Sequence, residues 1–163
     1  MFSLKDIIEI AIQIENNGER VYRSAIEKIS DPSLVSLLQW LADEEAEHAG
    51  WFTELKKKVK KTINDPKLEE MGKTILLEVI GEQSFSLKFA DFSEIQHVKD
   101  LFELSIEFEK DTVLFYEMLR PFIEDKDVEK QLNTIITEEN RHIRKLQEFL
   151  DSQISNVERE PTF

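Results

Sequence analysis

Along the first sixty residues, side chains meant for one face recur at alternating steps of three and four, the period of a helix stripe. A first helix is predicted over 3–29, with Ile8, Ile12, Tyr22, Ile26 and Ile29 on the stripe and Glu15 and Glu19 interrupting it. Ser3 followed by Asp6 resembles a helix start. Asp31-Pro32 is a stop-and-restart signal, with Asp as N-cap and Pro at the first helical position. The second helix, 32–60, carries Leu34, Leu38, Leu41, Phe52, Leu55 and Val59, and again the line is broken by Glu45 and His48. From 61 to 93 the periodicity blurs around Asn64-Asp65-Pro66, Gly72 and Gly81. A third helix over 94–122, capped by Ser93 with Gln96, shows Phe102, Ile106, Val113, Tyr116 and Ile123 with Glu109 among them; Pro121 kinks or ends it. Asp125 then precedes a fourth helix, 126–151, with Val128, Leu132, Ile135, Leu146 and Phe149 around Glu139 and His142. The tail, 152–163, is polar and too short for another long helix.

The short links around Asp31 and Asp125 make each helix pair an antiparallel hairpin, and the link between the pairs is about thirty residues long. A helix of 27 residues spans roughly 40 Å, so such a link suits a crossover from one end of a bundle to the other. The predicted fold is all-α: one domain over 1–163, a four-helix bundle of two hairpins joined by a long crossover that contains a short helix. Phe85, Phe89 and Phe92 in the crossover are read as capping the bundle or packing on a second subunit, which suggests a homodimer.

The polar residues on the apolar stripes are not scattered. Glu15, Tyr22, Glu45 and His48 recur as Glu109, Tyr116, Glu139 and His142, and each residue lies 94 positions after its counterpart. A Glu-x-x-His alone is more often a solvated helix face than a ligand pair. The same residue types at the same offset in both halves, on inward stripes where a charge is costly, indicate a duplicated half-site. Residues three apart share a helix face, so Glu45 points with His48 and Glu139 with His142. Two such helices plus one Glu from each of two others give four carboxylates and two imidazoles, the set that holds two metal ions in helical bundles. Tyr22 and Tyr116, two turns beyond Glu15 and Glu109, are placed for their phenols to hold a carboxylate beside the metals. Glu19, whose counterpart is Val113, reads as a partly exposed carboxylate near the ligands, with direct metal contact the alternative.

Composition narrows the choices. With no cysteine among 163 residues, disulfides, iron–sulfur clusters and thiolate zinc sites are excluded. The N-terminus lacks a basic start with an uninterrupted apolar run, and no stretch approaches the roughly 20 apolar residues that span a bilayer. Cytoplasm is the expected location. A formal net charge of −13 argues against nucleic acid and anionic membranes as partners. Lys56-Lys57-Lys58 and Lys60-Lys61 suit the C-terminal end of a helix dipole and need no ligand. His97, at a helix start far from the repeated residues, reads as a surface side chain.

The segments Ile14 to Tyr22, Glu44-Glu45-Ala46-Glu47-His48, Phe108-Glu109 through Phe115-Tyr116 and Glu138-Glu139-Asn140-Arg141-His142 resemble the ferritin-like di-iron carboxylate superfamily, most closely its rubrerythrin-like branch. The resemblance covers about residues 3 to 150. It implies that Glu45 and Glu139 bridge two irons, that Glu15 and Glu109 are terminal carboxylates, and that His48 and His142 each bind one ion. Thr112 stands where rubrerythrins carry a further glutamate, with Gly18 as its counterpart, so the set is symmetric and resembles the six-ligand arrangement of bacterioferritin. The four-cysteine rubredoxin module of rubrerythrin has no match here, so the resemblance implies an external electron-donor protein. The extra C-terminal helix of ferritin cages is also unmatched.

The resulting expectation is a cytoplasmic non-haem di-iron oxidoreductase of oxidative stress, a rubrerythrin-like peroxidase. It would reduce hydrogen peroxide, or react with dioxygen, with outside electrons. Dimanganese catalase-like chemistry is a variant, since carboxylate-rich sites suit manganese too. The alternatives are a protein that binds or buffers iron without turnover, and a structural bundle whose polar stripe is a relic.

Overall fold

A computed structural model describes residues 4–59, 66–67, 70 and 98–157, without the side chains of 154, 156 and 157. The chain divides into two compact units, Met1–Phe92 and Ser93–Phe163. The first contains α1 (Leu4–Ile26) and α2 (Pro32–Lys58). The second contains α3 (Val98–Leu119), a 3₁₀ turn (Arg120–Phe122) and α4 (Lys126–Val157). Among the described residues every secondary-structure element is helical, as the pattern predicts.

In the first unit α1 packs along α2 as a hairpin. The reversal is built by Asp31, whose side chain accepts hydrogen bonds from Ser33 N at 2.8 Å and Leu34 N at 3.0 Å, while Pro32 opens the helix with no N–H left over. The apolar faces meet through Ile7, Ile8, Ala11 and Ile14 on α1 and Leu34, Leu38, Leu41, Phe52 and Leu55 on α2, all buried. At the rim Lys56 pairs with Glu9, and Arg23 bridges to Asp43 of α2. Lys56, Lys57 and Lys58 occupy the last turn of α2, where the carbonyl ends of the helix favour positive charge.

The second unit repeats the device. Asp125 Oδ1 accepts from Asp127 N at 2.9 Å and Val128 N at 3.2 Å, the same two positions that Asp31 satisfies, 94 residues on. Here the preceding turn contains Pro121 and tightens to 3₁₀, so α3 ends at Leu119 and does not run to 122. Arg120 Nη1 donates to Asn133 Oδ1 at 3.2 Å, tying the turn to α4, and Phe102 stacks on Phe149 with ring centroids 5.3 Å apart.

Further expectations change, the first being the end of α1, which stops at Ile26 and does not run to Ile29. The fourth helix does not end at Asp151 but runs to Val157, because no glycine or proline intervenes and Ser155 Oγ donates back to Asp151 O at 3.0 Å. The buried faces of α1 and α3 are also wider than one stripe: Ile7, Ala11, Ile14, Gly18, Val21 and Ala25 form a second line on α1, matched by Leu101, Ser105, Phe108, Thr112, Phe115 and Leu119 on α3. Ile12 and Glu19, placed on the inward stripe by spacing, lie at its margin and are half-buried. The crossover with Phe85, Phe89 and Phe92, the caps at Ser3 and at Ser93 with Gln96, His97 and the last six residues fall outside the described residues. No helix among the described residues is long and apolar enough to cross a membrane.

Candidate metal centre

The glutamates and histidines singled out by the repeat are all buried within the two hairpins. Glu15, Glu45, Glu109, Glu139 and His142 are 0 % exposed and His48 is 5 % exposed. An ionised carboxylate taken from water into an apolar core costs several kcal/mol or shifts its protonation, so four of them are tolerated only with compensating charge or protons.

In the first hairpin, α1 presents Glu15 and α2 presents Glu45 and His48. One ligand atom of each lies within 4.8 Å of the others. His48 Nδ1 lies 3.5 Å from Glu15 Oε2 across the helix pair. In the second hairpin, α3 presents Glu109 and α4 presents Glu139 and His142, again within 4.8 Å of one another. His142 Nδ1 lies 3.0 Å from Glu139 Oε2, one turn away on its own helix, and 3.8 Å from Glu109 Oε1. The crowding has an electrostatic consequence at Glu109. Burial, and then the neighbouring Glu139 carboxylate, push its pKa up to about 7, opposed in part by the hydrogen bond and charge of His142. A carboxyl group that holds its proton near neutrality is one that a divalent ion relieves, since the ion supplies the charge that the proton otherwise supplies.

Around these ligands the two hairpins differ. Tyr22 and Tyr116 are both buried, and Tyr116 packs edge-on against Phe115 with centroids 5.7 Å apart. Thr112, one turn beyond Glu109, is fully buried, and its hydroxyl donates to Phe108 O at 2.9 Å, so its polar atom is turned into its own helix. Its counterpart Gly18 is buried without a side chain. Glu19 is turned to Arg23, with Oε1 at 2.8 Å from Nε. Sequence reasoning assigned no role to Glu44, which is half-buried with a carboxylate oxygen within 4.8 Å of a ring nitrogen of His48. The available signal was that Glu44 has its own counterpart at the same offset, Glu138, also half-buried.

The chemistry of each donor set, two buried carboxylates and one buried imidazole, fits a divalent first-row ion such as iron or manganese. The family model described as Rubrerythrin matches residues 6–150 of the chain. A crystal structure of a Thermotoga maritima protein, provisionally described as a ferritin-like diiron-carboxylate protein, is similar with a TM-score of 0.69 and 24 % sequence identity, covering 93 % of this chain and 97 % of that one. That likeness shows the fold, the ferritin-like four-helix bundle. No curated protein matches the sequence.

Proposed function

The chain belongs to the rubrerythrin family, and from that premise we propose that its two hairpins close into one domain around a shared pair of metal ions. The protein so formed is a non-haem di-iron protein that reduces hydrogen peroxide, or reacts with dioxygen, using electrons from a donor outside these residues. The observation that carries the reading is the repeated donor set: two carboxylates and an imidazole, buried on each hairpin, drawn from the same three positions of a 94-residue repeat.

In this reading Glu45 and Glu139 would be the carboxylates shared by the two ions, Glu15 and Glu109 would each serve one ion, and His48 and His142 would each hold one. Four carboxylates offset two divalent charges. When bound, the iron pair supplies two electrons and Lewis acidity to the oxidant. The chain's own part is to fix the donors and keep water out, with Phe52, Ile14 and Phe108 among the buried apolar residues of the hairpins. Burial and the Glu139 carboxylate favour the protonated form of Glu109 in the metal-free state, and a bound ion would take the place of that proton. Tyr22 and Tyr116 hold a carboxylate through the phenol. With no cysteine in the chain to ligate a second iron centre, reducing electrons come from a partner protein, in a compartment we take to be the cytoplasm.

The experiment is stopped-flow mixing of the reduced, iron-loaded protein with peroxide and, separately, with air-saturated buffer. The reading expects faster oxidation by peroxide, and repeated cycles when a reductant is supplied. One slow oxidation followed by accumulation of many ions per chain would assign the protein to iron buffering instead. Loss of peroxide with manganese and without any reductant would assign it to catalase chemistry.

A further inference from the structure

The centre of α1 reads Glu15-Asn16-Asn17-Gly18, and its counterpart in α3 reads Glu109-Lys110-Asp111-Thr112. Asn17 is the one asparagine of the chain that a glycine follows. That pair has a chemistry of its own. The main-chain nitrogen of the glycine can attack the side-chain amide carbon of the asparagine, because the glycine has no Cβ to obstruct the approach. The nitrogen gives up its proton, ammonia leaves, and water opens the resulting cyclic imide to aspartate or to isoaspartate. Amide and water become acid and ammonia, so atoms balance with no other reactant. In isoaspartate the main chain runs through the side-chain carbon, which lengthens the backbone and breaks the helical register.

The folded chain holds this reaction off. Asn17 and Gly18 lie inside α1, where the Gly18 N–H points along the helix axis toward Ile14 O and away from the Asn17 side chain. Asn17 Oδ1 accepts from Arg20 Nη2 at 2.7 Å, which holds the amide on the helix surface. Yet the same stretch is where α1 opens most easily. Asn16, Asn17 and Gly18 are three poor helix formers in succession, and a glycine inside a helix is costly relative to alanine. Directly before them stands Glu15, 0 % exposed, a carboxylate whose burial favours opening until its charge is compensated. A solvated polar turn does not describe the segment, since Gly18 is buried and Asn17 half-buried.

We propose that Asn17 is a site of spontaneous modification that a bound metal ion protects, so that loss of the ion exposes the first half-site to irreversible damage. The inference rests on the metal centre proposed above. His48 Nδ1 of α2 lies 3.5 Å from Glu15 Oε2, and a Glu45 oxygen lies within 4.8 Å of the donors of both. An ion held by these three ties α1 to α2 two residues before Asn17, and the turn opens only by breaking that tie. Without the ion the turn opens, the Gly18 nitrogen reaches the Asn17 amide, and the product is an isoaspartate or a new carboxylate two residues from Glu15. The second hairpin lacks this liability, because position 111 is already an acid and Thr112 carries a Cβ.

The test incubates the full chain, metal-free and loaded with Co²⁺, at mildly alkaline pH. Mass spectrometry of the digested protein follows the mass gain of the Asn17 peptide, with the Asn133 peptide as reference. In the metal-free chain Asn17 is expected to convert about tenfold faster than in the loaded chain, and faster than Asn133, which threonine follows. The aged metal-free chain should bind less Co²⁺ than fresh chain, whereas Asn17→Gln aged beside it should bind as much as when fresh. Equal conversion of Asn17 with and without Co²⁺ overturns the protection. Conversion of Asn17 no faster than that of Asn133 overturns the site, and full Co²⁺ binding by the converted chain overturns its consequence. If the fresh, unaltered chain binds no Co²⁺, the metal centre itself fails, a result distinct from the other three.

Discussion

The two hairpins carry the same three candidate ligands at the same three positions, yet the side chains around them differ. In the second hairpin the ligands crowd one another: His142 lies 3.0 Å from Glu139, and Glu109 is pushed up to about 7. Beyond the ligands α3 offers Thr112, closed onto Phe108 O, and the apolar Val113. In the first hairpin His48 sits against Glu15 across the helix pair, Gly18 takes the place of Thr112, and a charged line through Glu19 and Arg23 leads to the surface. The lesson is that a duplicated half keeps its buried donor set and varies what lies around it.

The largest effect should come from the residues that the repeat makes equivalent. Glu45→Ala and Glu139→Ala are each expected to abolish binding of both ions, measured by titration with ferrous iron under anaerobic conditions, because each carboxylate is proposed to span the pair. Retention of two ions by either variant breaks the equivalence. His48→Ala and His142→Ala should each lose one ion and keep the other.

The next effect belongs to the second hairpin alone. Below its ordinary value of 4.5, Glu109 is protonated in both folded and unfolded chains, so it contributes no difference. Between 4.5 and about 7 the unfolded chain releases this proton while the folded chain keeps it, so stability falls as pH rises; above about 7 the loss is complete. The metal-free protein should therefore melt at a higher temperature at pH 5 than at pH 8. Glu109→Gln should flatten that dependence and raise the melting temperature of the metal-free form at pH 8. A slope of the same size in the variant would remove Glu109 as its source.

Smaller effects sharpen the comparison of surroundings. Thr112→Val removes a buried hydroxyl that donates to Phe108 O and should cost about 1 kcal/mol in chemical denaturation, with no change in the number of ions bound. The caps are the weakest difference. Asp31→Ala and Asp125→Ala should each cost about 1 kcal/mol or less, with Asp125 at the lower end because its bond to Val128 N is 3.2 Å against 3.0 Å for Asp31 to Leu34 N.

Much of this was legible in the sequence because helical period and charge placement conflict so visibly. Glu45 and His48 interrupt an otherwise unbroken line of Leu and Phe, and the interruption recurs 94 residues later, so the hairpins, both Asp caps and the burial of all six residues follow from spacing. The second buried line of α1 was harder to read, because Ala11, Gly18 and Ala25 carry little hydrophobic signal even though they allow close approach. Thr112 is buried for a reason invisible in one dimension: its hydroxyl is satisfied by its own helix. The direction taken by Glu19 depends on Arg23 one turn away, which a stripe of apolar positions does not report. The end of α4 is not legible in the sequence because polar composition after Asp151 does not stop a helix, which ends for want of hydrogen bonds or at glycine and proline.

Anomalous diffraction at the iron edge from crystals of the iron-loaded protein tests the central claim most directly. The account predicts two iron peaks per chain sharing Glu45 and Glu139, one beside His48 and the other beside His142. Two isolated ions, each confined to one hairpin's ligands, or peaks away from these six side chains, would contradict it.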